Sequence, residues 1–217
     1  MFRAVLFTQW KWIRLALVPA ALLSFLLPLL SVQDLAAVQD GLSPARFLEG
    51  HAQMGVLYPM LGAMIALLVA TGAWAADHAG RHVYALTLPL ARERLVLLRL
   101  GAGLVLLAIP LATLWFGCLL AVAGSPLPTG LTAYPNLLAP RFLFATLVSF
   151  GLFFAVVTGT ARAAGWVLAL LVAWMLAQVL LSSAGSRADI VTPVLERLLT
   201  WPGPFDVFTG RWVLIDV

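Results

Sequence analysis

Apolar residues run in long stretches along this chain, and most of its charges stand at the edges of those stretches or between them. A helix that crosses a bilayer needs about 20 predominantly apolar residues. Five stretches qualify, at roughly residues 15–32, 55–76, 95–122, 141–160 and 163–184. Each is predicted to be helical, because lipid offers no partners to exposed backbone N–H and C=O groups. The expected fold is therefore all-α, a polytopic membrane helix bundle of five spans forming one domain over residues 1–217. The first stretch follows Arg3, Lys11 and Arg14, as the core of a signal peptide would. It is longer than such a core and no Ala-x-Ala site follows closely, so it is read as a retained span.

Composition agrees with this pattern. The chain is 63% apolar and 10% charged, with a mean hydropathy of +1.03, whereas soluble domains carry about 25% charged residues. The net charge of +4 raises nucleic acid as a partner, but the basic residues are scattered between apolar runs, so they are read as membrane-flank charges with lipid as the partner. With the N-terminus in the cytoplasm, Arg3, Lys11, Arg14, Arg81, Arg92, Arg94, Arg99 and Arg162 lie inside, and Arg46, Arg141, Arg187, Arg197 and Arg211 outside. That excess of Lys and Arg on one side sets the expected orientation. Trp10, Trp12 and Trp74 are expected near the interfaces, where amphipathic rings settle. The expected location is the plasma (inner) membrane of a bacterium.

Outside the spans, residues 33–54 read as a modest external loop and residues 185–217 as an external C-terminal segment. Thr192-Pro193 is a helix start, and Val194, Leu195, Leu198 and Leu199 give it an apolar face suited to the interface. Trp201-Pro202-Gly203-Pro204 breaks the chain, and Arg211-Trp212-Val213-Leu214-Ile215 reads as the approach to a further span, cut off at Val217.

No Asp, Glu, Lys or His falls in the middle of a span. Intramembrane charges mark proton and ion paths, so their absence argues against a proton-coupled transporter, an ion pump or an embedded metal enzyme. The polar residues within spans are mild ones: Ser24, Thr71, Thr113, Ser149, Thr158 and Gln178. Small residues at four-residue spacing, Gly62/Ala66/Ala70 and Ala155/Gly159, are expected to let helices approach closely. Cys118 is the only cysteine, lies in an apolar run and reads as a packing residue. No P-loop is present, and Lys11, the only lysine, stands between two tryptophans, so any ATP used must be bound by another chain. No Ser-His or Cys-His arrangement is evident for nucleophilic catalysis, and the chain is expected to hold no cofactor of its own. His78 and His82 have a spacing that can bind metal, but in an exposed loop they read as a solvated or partner-facing surface. His51 stands alone outside and reads as no ligand.

The segment between the second and third spans, residues 77–94, is short, charged and bounded by two long helices. Asp77 can stand near a helix N-terminus, where negative charge is favoured, and Gly80 permits a sharp change of direction. Val83, Tyr84, Leu86 and Leu88 offer an apolar surface, Pro89 ends the short helix, and Arg92, Arg94 and Arg99 meet the interface. The physical reading is a stiff helical elbow that can pass force from a cytoplasmic partner into the bundle.

These features resemble the first cytoplasmic loop of ABC-2-type transporter permeases: an acid, a Gly, a Leu-rich stretch, Leu-Pro-x-x-Arg, then a basic residue at the third span. Here they are Asp77, Gly80, Leu86, Leu88-Pro89-Leu-Ala-Arg92 and Arg99. The resemblance covers nearly the whole chain in span order and spacing, but only this loop is motif-like. It implies a coupling helix over residues 77–92, with Asp77, Gly80, Arg81, Leu86, Pro89 and Arg92 docking into an ATPase subunit. It also implies an amphipathic Phe2–Arg14 on the membrane surface, a second permease subunit (identical or not), and export as the direction. The chain departs from the family in having Asp for the commoner Glu and in its span count. The family has six spans, and here the sixth is expected to be missing or truncated. The competing readings are a non-transporting membrane scaffold or assembly subunit, and an intramembrane enzyme, for which no buried catalytic group is visible.

Overall fold

The computed structural model describes residues 1–33, 44–79, 91–125, 127, 130–159, 161–183, 189 and 191–216. Its helices are α1 (Phe2–Ser31), α2 (Pro44–Gly55), α3 (Leu57–Ala79), α4 (Arg92–Gly124), α5 (Pro135–Thr158), α6 (Ala161–Ser183) and α7 (Thr192–Leu199). A short 3-10 turn covers Asp206–Phe208, and β1 (Thr132–Ala133) pairs antiparallel with β2 (Ile215–Asp216). Among the described residues, four helical stretches are long and apolar enough to cross a membrane: Phe2–Ser31, Phe47–Ala75, Glu93–Gly124 and Pro135–Thr158. This is the architecture of an all-α membrane bundle.

The core lies where α1, α3, α4 and α5 meet. The most extensive seams are α1 against α4 and α3 against α5. Ile13 and Leu17 of α1, Ile65 and Val69 of α3, Leu106 and Leu114 of α4, and Phe142 and Phe150 of α5 are buried together. The outer faces carry exposed Leu15, Phe7, Phe116, Leu137 and Phe144. So much exposed apolar surface is unfavourable in water and suits a lipid surround. Small residues set the helix separations. Ala66 and Ala70 are wholly buried, and Gly62 faces Phe142 and Thr146 of α5, so the first expected small-residue run does seat a helix pair. Ala155 and Gly159 are exposed. At Gly117 a Cβ would collide with the backbone of Phe25. Gly117→Val is therefore expected to prise α1 from α4 and to cost about 1–3 kcal/mol, the usual range for overpacking. A lower thermal unfolding temperature in detergent, read beside an unaffected Gly124→Ala control in open space, checks this.

Four of the mild polar residues of the spans are satisfied within their own helices. Ser24 donates to the Ala20 carbonyl, Thr71 to Leu67, Thr113 to Pro110 and Thr158 to Phe154. None of these hydroxyls needs a partner from elsewhere.

The structure corrects several sequence expectations. Phe2–Arg14 is no separate surface helix. It is the first half of α1, which runs unbroken for 30 residues, about 45 Å at 1.5 Å per residue. Residues 44–54, read as part of a loop, belong to α2, which buries Phe47 and His51. The fourth span begins at Pro135 rather than 141, with proline in the first helical turn, where its missing N–H costs nothing. Trp74 and Arg99 are both buried between helices. The fifth stretch is helical as expected, but α6 has a small contact with α5 and leaves Trp166, Leu170, Met175 and Leu180 exposed. Ile215, read as part of the approach to a further span, forms β2 with Asp216 instead of helix.

Candidate functional site

Of the residues expected to dock an ATPase, Asp77 lies in the last turn of α3 and Arg92 is the first residue of α4. Only their backbones are described. Gly80, Arg81, Leu86 and Pro89 lie outside the described residues, and so do His82 and the short coupling helix itself. His78 is described in its backbone alone. Among the described residues, no group of three His, Cys, Asp or Glu could hold a metal ion.

The flanks of that loop are anchored in the bundle. The Arg99 guanidinium lies 4.4 Å from the centroid of the Trp74 ring, a cation–π contact that strengthens when desolvated. Gln9 of α1 donates to the Arg99 carbonyl at 3.2 Å. The three side chains are buried and tie α1, α3 and α4 together at the end where the loop leaves the bundle. Leu95 is buried one turn into α4. Force applied between Ala79 and Arg92 would therefore reach three helices at once.

A second cluster lies at the opposite end, and sequence reasoning missed it. His51 of α2 is 4% exposed. Its Nε2 accepts hydrogen bonds from the backbone N–H of Leu214 at 2.9 Å and of Ile215 at 3.2 Å. Its Nδ1 lies 3.0 Å from the Ser31 carbonyl. A ring nitrogen that accepts carries no proton, so the proton sits on Nδ1 and is donated to Ser31. The hydroxyls of Ser31 and Tyr58 meet at 3.3 Å, and Phe47 stacks on the imidazole at 5.5 Å. One side chain thus joins α1, α2 and the C-terminal strand.

Arg141 grips the same segment from α5. It donates to the carbonyls of Val207 at 3.3 Å, Arg211 at 2.7 Å and Thr209. Its guanidinium also lies 4.7 Å from the Trp212 ring centroid. Gly210 adopts φ +79°, a left-handed turn open to glycine, which carries the chain over the guanidinium. Trp212, Leu214 and Ile215 are buried beneath the segment, and Tyr134 donates to the Leu214 carbonyl at 2.8 Å. The exposed Arg211–Asp216 pair, at 3.3 Å, adds little. Farther out, α7 is capped by Asp189, which accepts from the N–H groups of Val191 and Thr192. Hydrogen bonding from Thr192, side chain and backbone, holds the Asp189 carboxyl below the usual carboxylate range.

A lone His and a lone Arg at the edges of apolar runs were the available signals for this cluster. Their partners are backbone atoms, which leave no residue pattern to read. A groove of about 500 Å³ between α4 and α5, lined by Ala108, Ala112, Pro140 and Leu143, has the Trp115–Asn136 hydrogen bond at one end. It holds no titratable group and no nucleophile.

Compared with protein families, curated proteins and solved structures, the chain matches none.

Proposed function

We propose that this chain is the permease subunit of an ATP-driven exporter of the ABC-2 type. It would form the substrate pathway with a second permease subunit and couple to a separate ATPase subunit that binds the ATP. The observation that carries the reading is the loop sequence from Asp77 to Arg92, with its acid, Gly80, Leu86 and Leu88-Pro89-Leu-Ala-Arg92. The anchoring of the loop's flanks through Gln9, Trp74 and Arg99 supports it mechanically. On this reading Asp77, Gly80, Arg81, Leu86, Pro89 and Arg92 form the docking element, and α6 crosses the membrane as a fifth span. The N-terminus lies in the cytoplasm of a bacterial inner membrane. Closure of the ATPase pair on ATP would move the loop, and the bundle would exchange inward- and outward-facing states.

The test is co-purification from native membranes in mild detergent. A stoichiometric P-loop ATPase is expected with the wild type. Asp77→Lys, which reverses the charge at the start of the docking element, is expected to lower its recovery more than about tenfold, equivalent to about 1.4 kcal/mol of binding. Membrane insertion should be unchanged. Full ATPase recovery with Asp77→Lys removes the coupling assignment. Recovery of a partner that is not an ATPase favours a membrane scaffold instead.

A further inference from the structure

The geometry points to His51 as a proton-sensitive latch: in its neutral form it holds residues 212–216 across the end of the bundle opposite the N-terminus, and its protonation releases them. This stands independently of the transporter reading, because it rests on the ring and its three partners alone.

The neutral ring is used to capacity. Nδ1–H donates to Ser31, and Nε2 accepts both backbone N–H groups of the Leu214–Ile215 step. Adding a proton to Nε2 turns the acceptor into a donor facing two other donors. Leu214 and Ile215 then lose their acceptor together, in a place where an unpaired N–H is costly. The remaining strand pairing, Thr132 with Asp216 and Ala133 with Ile215, is a two-residue ladder. A two-stranded ribbon of that size does not hold by itself.

The charged and titratable groups around the ring do not replace that loss. From the C-terminal segment comes Asp216, the acid whose charge acts on the ring, and it is engaged with Arg211. From α3 comes Tyr58, reached through the Ser31 hydroxyl. On α2 itself Glu49 is exposed. From α5, Arg141 grips residues 207–211 and lies over Trp212. From the β1 side, the Tyr134 phenol is engaged with Thr132. Where the released imidazole is protonated and the latched one is not, the latched state binds one proton fewer, so falling pH favours release, by up to tenfold for each unit below the released imidazole's titration.

Hydrogen–deuterium exchange of the full chain in lipid nanodiscs reads this directly at the peptide containing Leu214 and Ile215. After correction for the intrinsic chemical rate, its protection is expected to fall about tenfold or more from about pH 7.5 to about pH 5, across the ordinary imidazole range. His51→Gln can keep one donor and one acceptor but cannot titrate, and its protection is expected to be independent of pH. Unchanged wild-type protection over this range overturns the proposal, as does an equal fall in His51→Gln. Should the glutamine variant lose protection at both pH values, the ¹⁵N resonance of His51 in the wild type decides. Protonation that coincides with loss of protection supports the latch, and protonation with protection retained overturns it.

Discussion

Arg141→Ala is expected to free residues 205–211 at every pH, with residues 212–216 still held by neutral His51, while leaving the helical bundle folded. One side chain serves three carbonyls of residues 207–211 and covers Trp212. Hydrogen bonds to a charged group contribute about 1.5–3 kcal/mol each, and sharing one partly exposed head group lowers the sum to about 3 kcal/mol. Because the loss is local, the sensitive readout is exchange or limited proteolysis over residues 205–211, not global unfolding. Arg141→Lys should rescue little, since an ammonium cannot span three acceptors in a fixed fork. If Arg141→Ala leaves this segment fully protected, the segment is held by His51 and apolar burial alone. Constant exposure of residues 205–211 in Arg141→Ala, against acid-triggered exposure of residues 212–216 in the wild type, separates the two grips.

The neighbouring residue has the opposite character. Phe142 is 1% exposed and packs against Gly62 where α3 meets α5. Phe142→Ala removes a ring from the seam beside Gly62, which cannot close on the gap without moving a helix. A cost of about 3–5 kcal/mol is expected, as for buried aromatic truncations generally. It should appear as a large fall in thermal unfolding temperature in detergent, with helicity lost cooperatively. Phe142→Leu, which keeps most of the volume, should recover more than half of it. A fall of the same size in both variants would mean that ring shape, not filled volume, holds the α3–α5 seam.

The helical stretches were legible because lipid forces apolar length and helix together. Residues 95–122 lie inside α4 (Arg92–Gly124), and 163–184 nearly coincide with α6 (Ala161–Ser183). The errors lie where hydropathy and helix part company. A helix does not end when its residues turn polar, so α1 continues back through Arg14, Lys11 and Arg3, supported by packing on α4. The amphipathic α2 has too few apolar residues to register as a span. Placing the fourth helix start at 141 put Arg141 at the membrane edge; Pro135 was the better start signal, and it sets Arg141 nearly two turns inside. His51 and Arg141 find their partners 163 and about 70 residues away, on backbone atoms that carry no side-chain identity. The proposed docking element rests on a sequence motif, and most of it lies outside the described residues.

The separation of His51 from Leu214 also sets an order of assembly. At about 5–20 residues per second of synthesis, roughly 8 to 33 s pass between the making of the ring and the making of its partner. The four long apolar helical stretches described above are complete before that partner exists. That closing stitch is therefore made only after those helices, and a chain that stalls before Trp212 would carry them into the membrane with that end of the bundle still untied.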